Sequence, residues 1–60
     1  MRNKTKEVIE RIEFYVNAYG YEAEALVLGE VEGLTIEAIA AEIGVGLDGR
    51  ERDEVVAHYA

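Results

Sequence analysis

Sixty residues without a single cysteine must hold themselves together by packing alone. A chain of this length buries only about 60% of the surface its unfolded form exposes, so its core is marginal. Small domains usually make up the shortfall with disulfides, a structural metal or association. Disulfides are impossible here, Cys-based zinc sites go with them, and His58 is the single imidazole. What remains is close helix packing or self-association, so a homodimer is an expectation before any motif is read. Half of the residues are apolar and 32% are charged, the balance of a globular rather than a disordered chain.

No proline occurs, and glycines at 20, 29, 33, 44, 46 and 49 supply the punctuation. The apolar residues between them recur with a helical period, which predicts an all-α fold, a small bundle of three to four helices. Residues 4–19 read as the first helix: Val8, Ile12, Tyr15 and Tyr19 share a stripe, and Ile9 and Val16 widen it. Glu7 and Arg11 are spaced to pair on its outside, and Gly20 ends it. Phe14 stands off that stripe, near Arg11 and Ala18. It either folds under a neighbouring helix or is presented to a second chain.

Residues 21–32 read as a helix through Ala23, Leu26, Val27 and Val31, interrupted by Gly29 at a cost of about 1 kcal/mol relative to Ala. A short strand over Leu26 to Val31 is the alternative. The third segment has the clearest signals. Thr35 is placed as an N-cap, Leu34 and Ile39 occupy the hydrophobic-staple positions around it, and Ile36, Ile39, Ala40 and Ile43 form one face. Gly44 closes this helix, with Val45 set to pack back on it. The last segment begins at Asp48, which with Glu51 is spaced as a capping box, and buries Val55, Val56 and Tyr59.

The charge is lopsided, with 13 acids, 6 bases and a formal net of −7. Residues 1–6 carry Arg2, Lys4 and Lys6 and no acid, and read as a basic N-terminal arm. Residues 7–60, a single domain, hold all 13 acids against three bases, Arg11, Arg50 and Arg52, a net of −10. Such a body repels a phosphate backbone, because DNA affinity comes largely from Lys and Arg displacing counterions. Its surface is either a solvated face or one that meets a basic partner. No apolar run approaches the roughly 18 residues of a membrane span, and no apolar h-region follows MRNKTK. The expectation is a soluble, cytoplasmic protein with no membrane role.

GVGLDGRE, residues 44–51, spells the G-x-G-x-x-G of a dinucleotide fingerprint and comes within two residues of a Walker loop. A dinucleotide site needs a strand entering the turn, within a βαβ unit of ~30 residues. Here the strongest helix in the chain enters it, and 11 residues follow Gly49. In a Walker loop Lys and Ser/Thr would stand where Arg50 and Glu51 do, so a carboxylate occupies the phosphate position. The stretch therefore reads as a turn: Gly44 a helix C-cap, Gly46 a turn residue, Gly49 backbone beside an N-cap. No cofactor is expected.

Candidate catalytic groups are scarce. The chain has no Ser and no Cys, and only Thr5 and Thr35 as hydroxyl nucleophiles. His58, four residues after Glu54, reads as a surface pair at a helix C-terminus. Glu51, Glu54 and His58 make a poor metal set, and Glu22 and Glu24 read as first-turn acids rather than a dyad. No enzymatic activity and no bound metal are expected.

Residues 26–45, LVLGEVEGLTIEAIAAEIGV, resemble the helix-turn-helix family in its winged-helix and related three-helix forms. The resemblance is carried by Leu34, Thr35, Ile39, Ala40, Ile43, Gly44 and Val45, where those domains show L-T-x-x-x-I-A-x-x-[IL]-G-V. It implies a helix-turn-helix-like C-terminal half, with a recognition helix opening at Arg50 and Arg52. The turn GVGLDG is about two residues longer than in that family, and Glu51, Asp53 and Glu54 offset the two arginines. Two functions follow. The first is a non-enzymatic, acidic protein-interaction module, an inhibitor or regulator that docks on a basic protein, in one version by imitating DNA. Its candidate contacts are Glu10, Glu13, Phe14, Glu22, Glu24, Glu30 and Glu32. The second is a helix-turn-helix DNA-binding regulator using Arg2, Lys4, Lys6, Arg50 and Arg52.

Overall fold

A computed structural model describes residues 1–60 as four helices and no strand: α1 Asn3–Tyr19, α2 Ala23–Val27, α3 Ile36–Glu42 and α4 Gly49–His58. The all-α expectation holds. Helix α1 is the hub, and α2, α3 and α4 each pack principally on it. It presents Val8, Ile9 and Ile12 to a core completed by Leu26 and Val27 of α2, Ile36, Ile39 and Ala40 of α3, and Val55 of α4. The radius of gyration is 10.2 Å. A close-packed chain of this length should measure about 10 Å, so no segment stands away from the body.

The helix boundaries follow from caps. Thr35 Oγ1 accepts the Ala38 N–H at 3.0 Å. Asp48 and Glu51 complete a reciprocal capping box: the Glu51 N–H donates to Asp48 at 2.8 Å and the Asp48 N–H to Glu51 at 3.0 Å. At the far end of α3, Gly44 has φ 77°. The Val45 N–H reaches Ala40 O and the Gly44 N–H reaches Ala41 O, the paired bonds of a Schellman stop. Gly46 departs from expectation. It does not adopt the left-handed backbone that would require glycine, and a Cβ there would meet nothing.

Residues 21–32 are not one helix, nor is 26–31 a strand. Helix α2 stops at Val27 because Gly29, at φ 71°, terminates it. The Glu30 N–H bonds Ala25 O and the Gly29 N–H bonds Leu26 O, the same Schellman pair as in α3. Gly29 is thus a stop signal rather than an interruption. It leaves Leu28 turned out at the helix end, 66% exposed.

The basic N-terminal stretch, read above as an arm, is bound into the fold. Asn3–Lys6 form the first turn of α1. Thr5 is fully buried and donates to Glu54 Oε1 at 2.8 Å. Arg2 pairs with the other oxygen of Glu54 at 3.2 Å.

Candidate protein-interaction surface

Four interhelical polar ties decide which charges remain free. Arg11 of α1 donates to Glu42 of α3, and Tyr15 OH donates to the second oxygen of the same carboxylate. The Tyr15 and Arg11 bonds hold the Glu42 carboxyl below its usual range, and the bond to Glu42 pushes both the Tyr15 phenol and the Arg11 guanidinium up. Arg52 of α4 bonds Glu37 of α3. Tyr59 donates to Glu13 at 2.7 Å, and burial followed by that bond raises its pKa. The Arg2–Glu54–Thr5 group closes the set. Two expected pairs give way to these contacts. Arg11 turns from Glu7 to Glu42, and Glu54 is taken by Thr5 and Arg2, leaving His58 edge-on to Tyr59 with ring centroids 4.8 Å apart.

After these ties and the caps, Glu7, Glu10, Glu22, Glu24, Glu30, Glu32 and Asp53 neither accept a hydrogen bond nor form an ion pair within the chain. All seven are exposed. Five of the six acids put forward as candidate contacts are among them; Glu13 is held by Tyr59. No Lys, Arg or His occurs between Arg11 and Arg50, a span carrying Glu13, Glu22, Glu24, Glu30, Glu32, Glu37, Glu42 and Asp48. That gap, visible in the sequence, is what leaves the segment around α2 purely anionic.

Phe14 lies under no neighbouring helix. It is 41% exposed, with the Arg11 guanidinium 4.3 Å above its ring. It meets Tyr15 and Tyr19 in edge-to-face pairs with ring centroids 5.6 and 5.9 Å apart, and Tyr21 joins the cluster through both tyrosines. Phe14 also borders a shallow depression of about 350 Å³ with Glu7, Glu10, Arg11 and Ile43. Glu22 and Glu24 stand at the start of α2, joined to the aromatic cluster by Tyr21. Glu30 and Glu32 follow on the turn toward α3.

The cationic residues do not form one free ridge. Arg2 and Arg52 are paired with carboxylates, and Lys4 Nζ lies 3.4 Å from Gly46 O in the connection between α3 and α4. Lys6 and Arg50 are exposed and have no partner in the chain. Glu51 is nearly buried in its cap, and no three His, Asp or Glu side chains are grouped to hold a metal ion. Both threonines are used structurally, Thr5 against Glu54 and Thr35 as a cap.

The sequence singled out neither the Glu42 tie nor a groove between α2 and the end of α4. That groove holds about 270 Å³ and is lined by Glu24, Val27, Leu28, Val56, Tyr59 and Ala60. The only signal for it was Leu28 beside a glycine stop. What fold and surface define is a small all-α domain with an anionic, aromatic-bearing exterior. No helix is long and apolar enough to cross a membrane. No protein-family profile matches the chain, and no characterised protein and no solved structure is detectably similar to it.

Proposed function

We propose that this protein is a non-enzymatic, acidic interaction module that docks on a basic protein and acts as an inhibitor or regulator of it. The division of charge carries this reading: Arg2, Arg11 and Arg52 are spent on internal ion pairs, whereas seven carboxylates face outward unpaired. Such a surface attracts cationic partners and speeds their encounter. In its sharpest form the free acids stand in for DNA phosphates. The test is competition: the chain should displace duplex DNA from a basic, sequence-independent DNA-binding protein. A variant with Gln at Glu22, Glu24, Glu30 and Glu32 should fold but lose most of that capacity. Equal competition by the variant would refute the role of these acids.

A helix-turn-helix regulator is the second reading, favoured by one observation. Arg50 is unpaired in the first turn of α4, after a Thr35-capped helix and the connection that Lys4 touches. Early residues of a recognition helix are those that reach base edges. Tight, salt-sensitive binding to duplex DNA, abolished by Arg50→Ala with Arg52→Ala, would replace the first reading with this one.

A further inference from the structure

One of the free acids, Glu24, lines an apolar groove of a definite shape. Leu28 is the most exposed large apolar side chain, because Gly29 stops α2 before a further turn can cover it. Val56 of α4 and Tyr59, the residue that caps it, line the same groove. The Tyr59 hydroxyl donates to Glu13 at 2.7 Å, which ties this wall of the groove to α1. Val27, in the core cluster, belongs to the same lining, so the site is continuous with the packed interior. Glu24 lies one helical turn before Leu28 on the rim, with no partner in the chain.

We propose that this groove docks a cationic amphipathic helix of another protein, inserting one large apolar side chain between Leu28 and Tyr59 while its Lys and Arg face Glu24 and the neighbouring free acids. The inference rests on the acidic-module reading and names where, and with what, the module binds. Charge chooses the occupant. Glu22, Glu24, Glu30 and Glu32 surround Leu28 in the sequence, and no base lies between Arg11 and Arg50 to answer them. A second copy brings the same −7, and its one basic stretch, residues 2–6, already commits Arg2 to Glu54. A small molecule fits less well, because about 270 Å³ falls below the roughly 300–1,000 Å³ typical of ligand pockets. That volume suits the anchor of a helix laid into a groove, whose remaining residues make rim contacts.

The experiment is an amide NMR titration of the full chain with a helical peptide of about fifteen residues, Leu and Phe on one face and Lys elsewhere. Two controls are the same apolar face carrying Glu for Lys, and an oligolysine of equal charge. The basic amphipathic peptide should shift the Val27, Leu28, Val56 and Tyr59 amides. Added salt should weaken it, and Leu28→Ala should weaken it about tenfold. Leu28 is exposed, so the variant's own spectrum verifies its fold. Oligolysine binding as tightly, with no effect of Leu28→Ala, would overturn the groove while leaving the acidic module standing. Equal binding of the acidic control would overturn charge as the selector. Concentration-dependent shifts of the same amides without peptide would hand the groove to a second copy. Silence toward both cationic peptides would overturn the groove and count against the module as well.

Discussion

Three glycine substitutions in GVGLDGRE separate a helix stop from a phosphate cradle by sign, not only by size. Gly44 is left-handed at φ 77°, where an L side chain is strained although no neighbour blocks it. Ala there should cost about 1–2 kcal/mol, the penalty of placing a Cβ against the following carbonyl. Gly46 and Gly49 have no left-handed φ, and a Cβ at either meets no atom within 4 Å. Ala at these positions should stabilise by about 0.4–1 kcal/mol, because it narrows the unfolded ensemble and leaves the fold undisturbed. For a 60-residue chain, total stability is on the order of 3–9 kcal/mol, and each kcal/mol moves Tm by about 4–8 °C. Thermal unfolding followed by circular dichroism should therefore place Gly44→Ala about 4–16 °C below the wild type and the other two a few degrees above it. If Gly46→Ala destabilised the chain as much as Gly44→Ala, the reading of this stretch as a single stop followed by ordinary backbone would be wrong.

Acid and alkaline limbs should dissect the interhelical ties. Glu42 has a lowered pKa, so its contribution is present above the unfolded value of about 4.3 and is lost as pH falls below it. Glu42→Gln should flatten the acid limb of a Tm–pH curve; a slope equal to the wild type's would contradict the tie. Tyr15 and Tyr59 have raised pKa values, so their contributions are intact below the unfolded value of about 10 and are lost progressively as pH rises from there through the raised folded values. Tyr15→Phe and Tyr59→Phe should each remove part of the alkaline loss. Self-association, if it uses the aromatic face, should respond to salt in the opposite sense from peptide binding. Screening relieves repulsion between two chains of charge −7, so sedimentation should show more association at high salt for the wild type and none for Phe14→Ala; identical monomers throughout would retire the dimer.

How far the sequence could be read depended on whether a signal was local. Thr35, Asp48 with Glu51, and Gly44 are governed by atoms three to five residues away, and the bonds they make are those their spacing predicts. The stripe on α1 was legible for the same reason, since one helix face repeats. Gly29 was ambiguous because a glycine within an apolar run suits an interruption, a strand or a stop, and only the packing of Leu26 and Val27 on α1 selects the stop. The free acids could be nominated but not counted. Whether Arg11 answers Glu7 or Glu42 depends on where α3 crosses α1, 31 residues away in the chain. The groove was invisible for a related reason: α2 and the end of α4 have no periodicity in common.

The tertiary pairings also explain why net charge understates the surface. A formal −7 is the same whether the bases are scattered among the acids or withdrawn from them. Here three of the six bases bridge helices: Arg2 joins α1 to α4, Arg11 joins α1 to α3, and Arg52 joins α4 to α3. Each neutralises an acid on a neighbouring helix and leaves the remaining acids without an answer. Helix α2 alone has no such bridge. It is also the shortest helix, held by Leu26 and Val27 rather than by ion pairs. The element least tied by charge is thus the one flanked by the most unpaired charge, and it borders the exposed Leu28. If the anions served solubility alone, their position relative to an apolar groove would be irrelevant. Moving them should then leave binding unaltered: a variant with Glu22, Glu24, Glu30 and Glu32 as Gln, and four exposed residues elsewhere as Glu, keeps the net charge. If the groove docks a cationic helix as proposed, that variant should nevertheless lose affinity for a basic amphipathic helix, because a local field rather than the total charge would then select the partner.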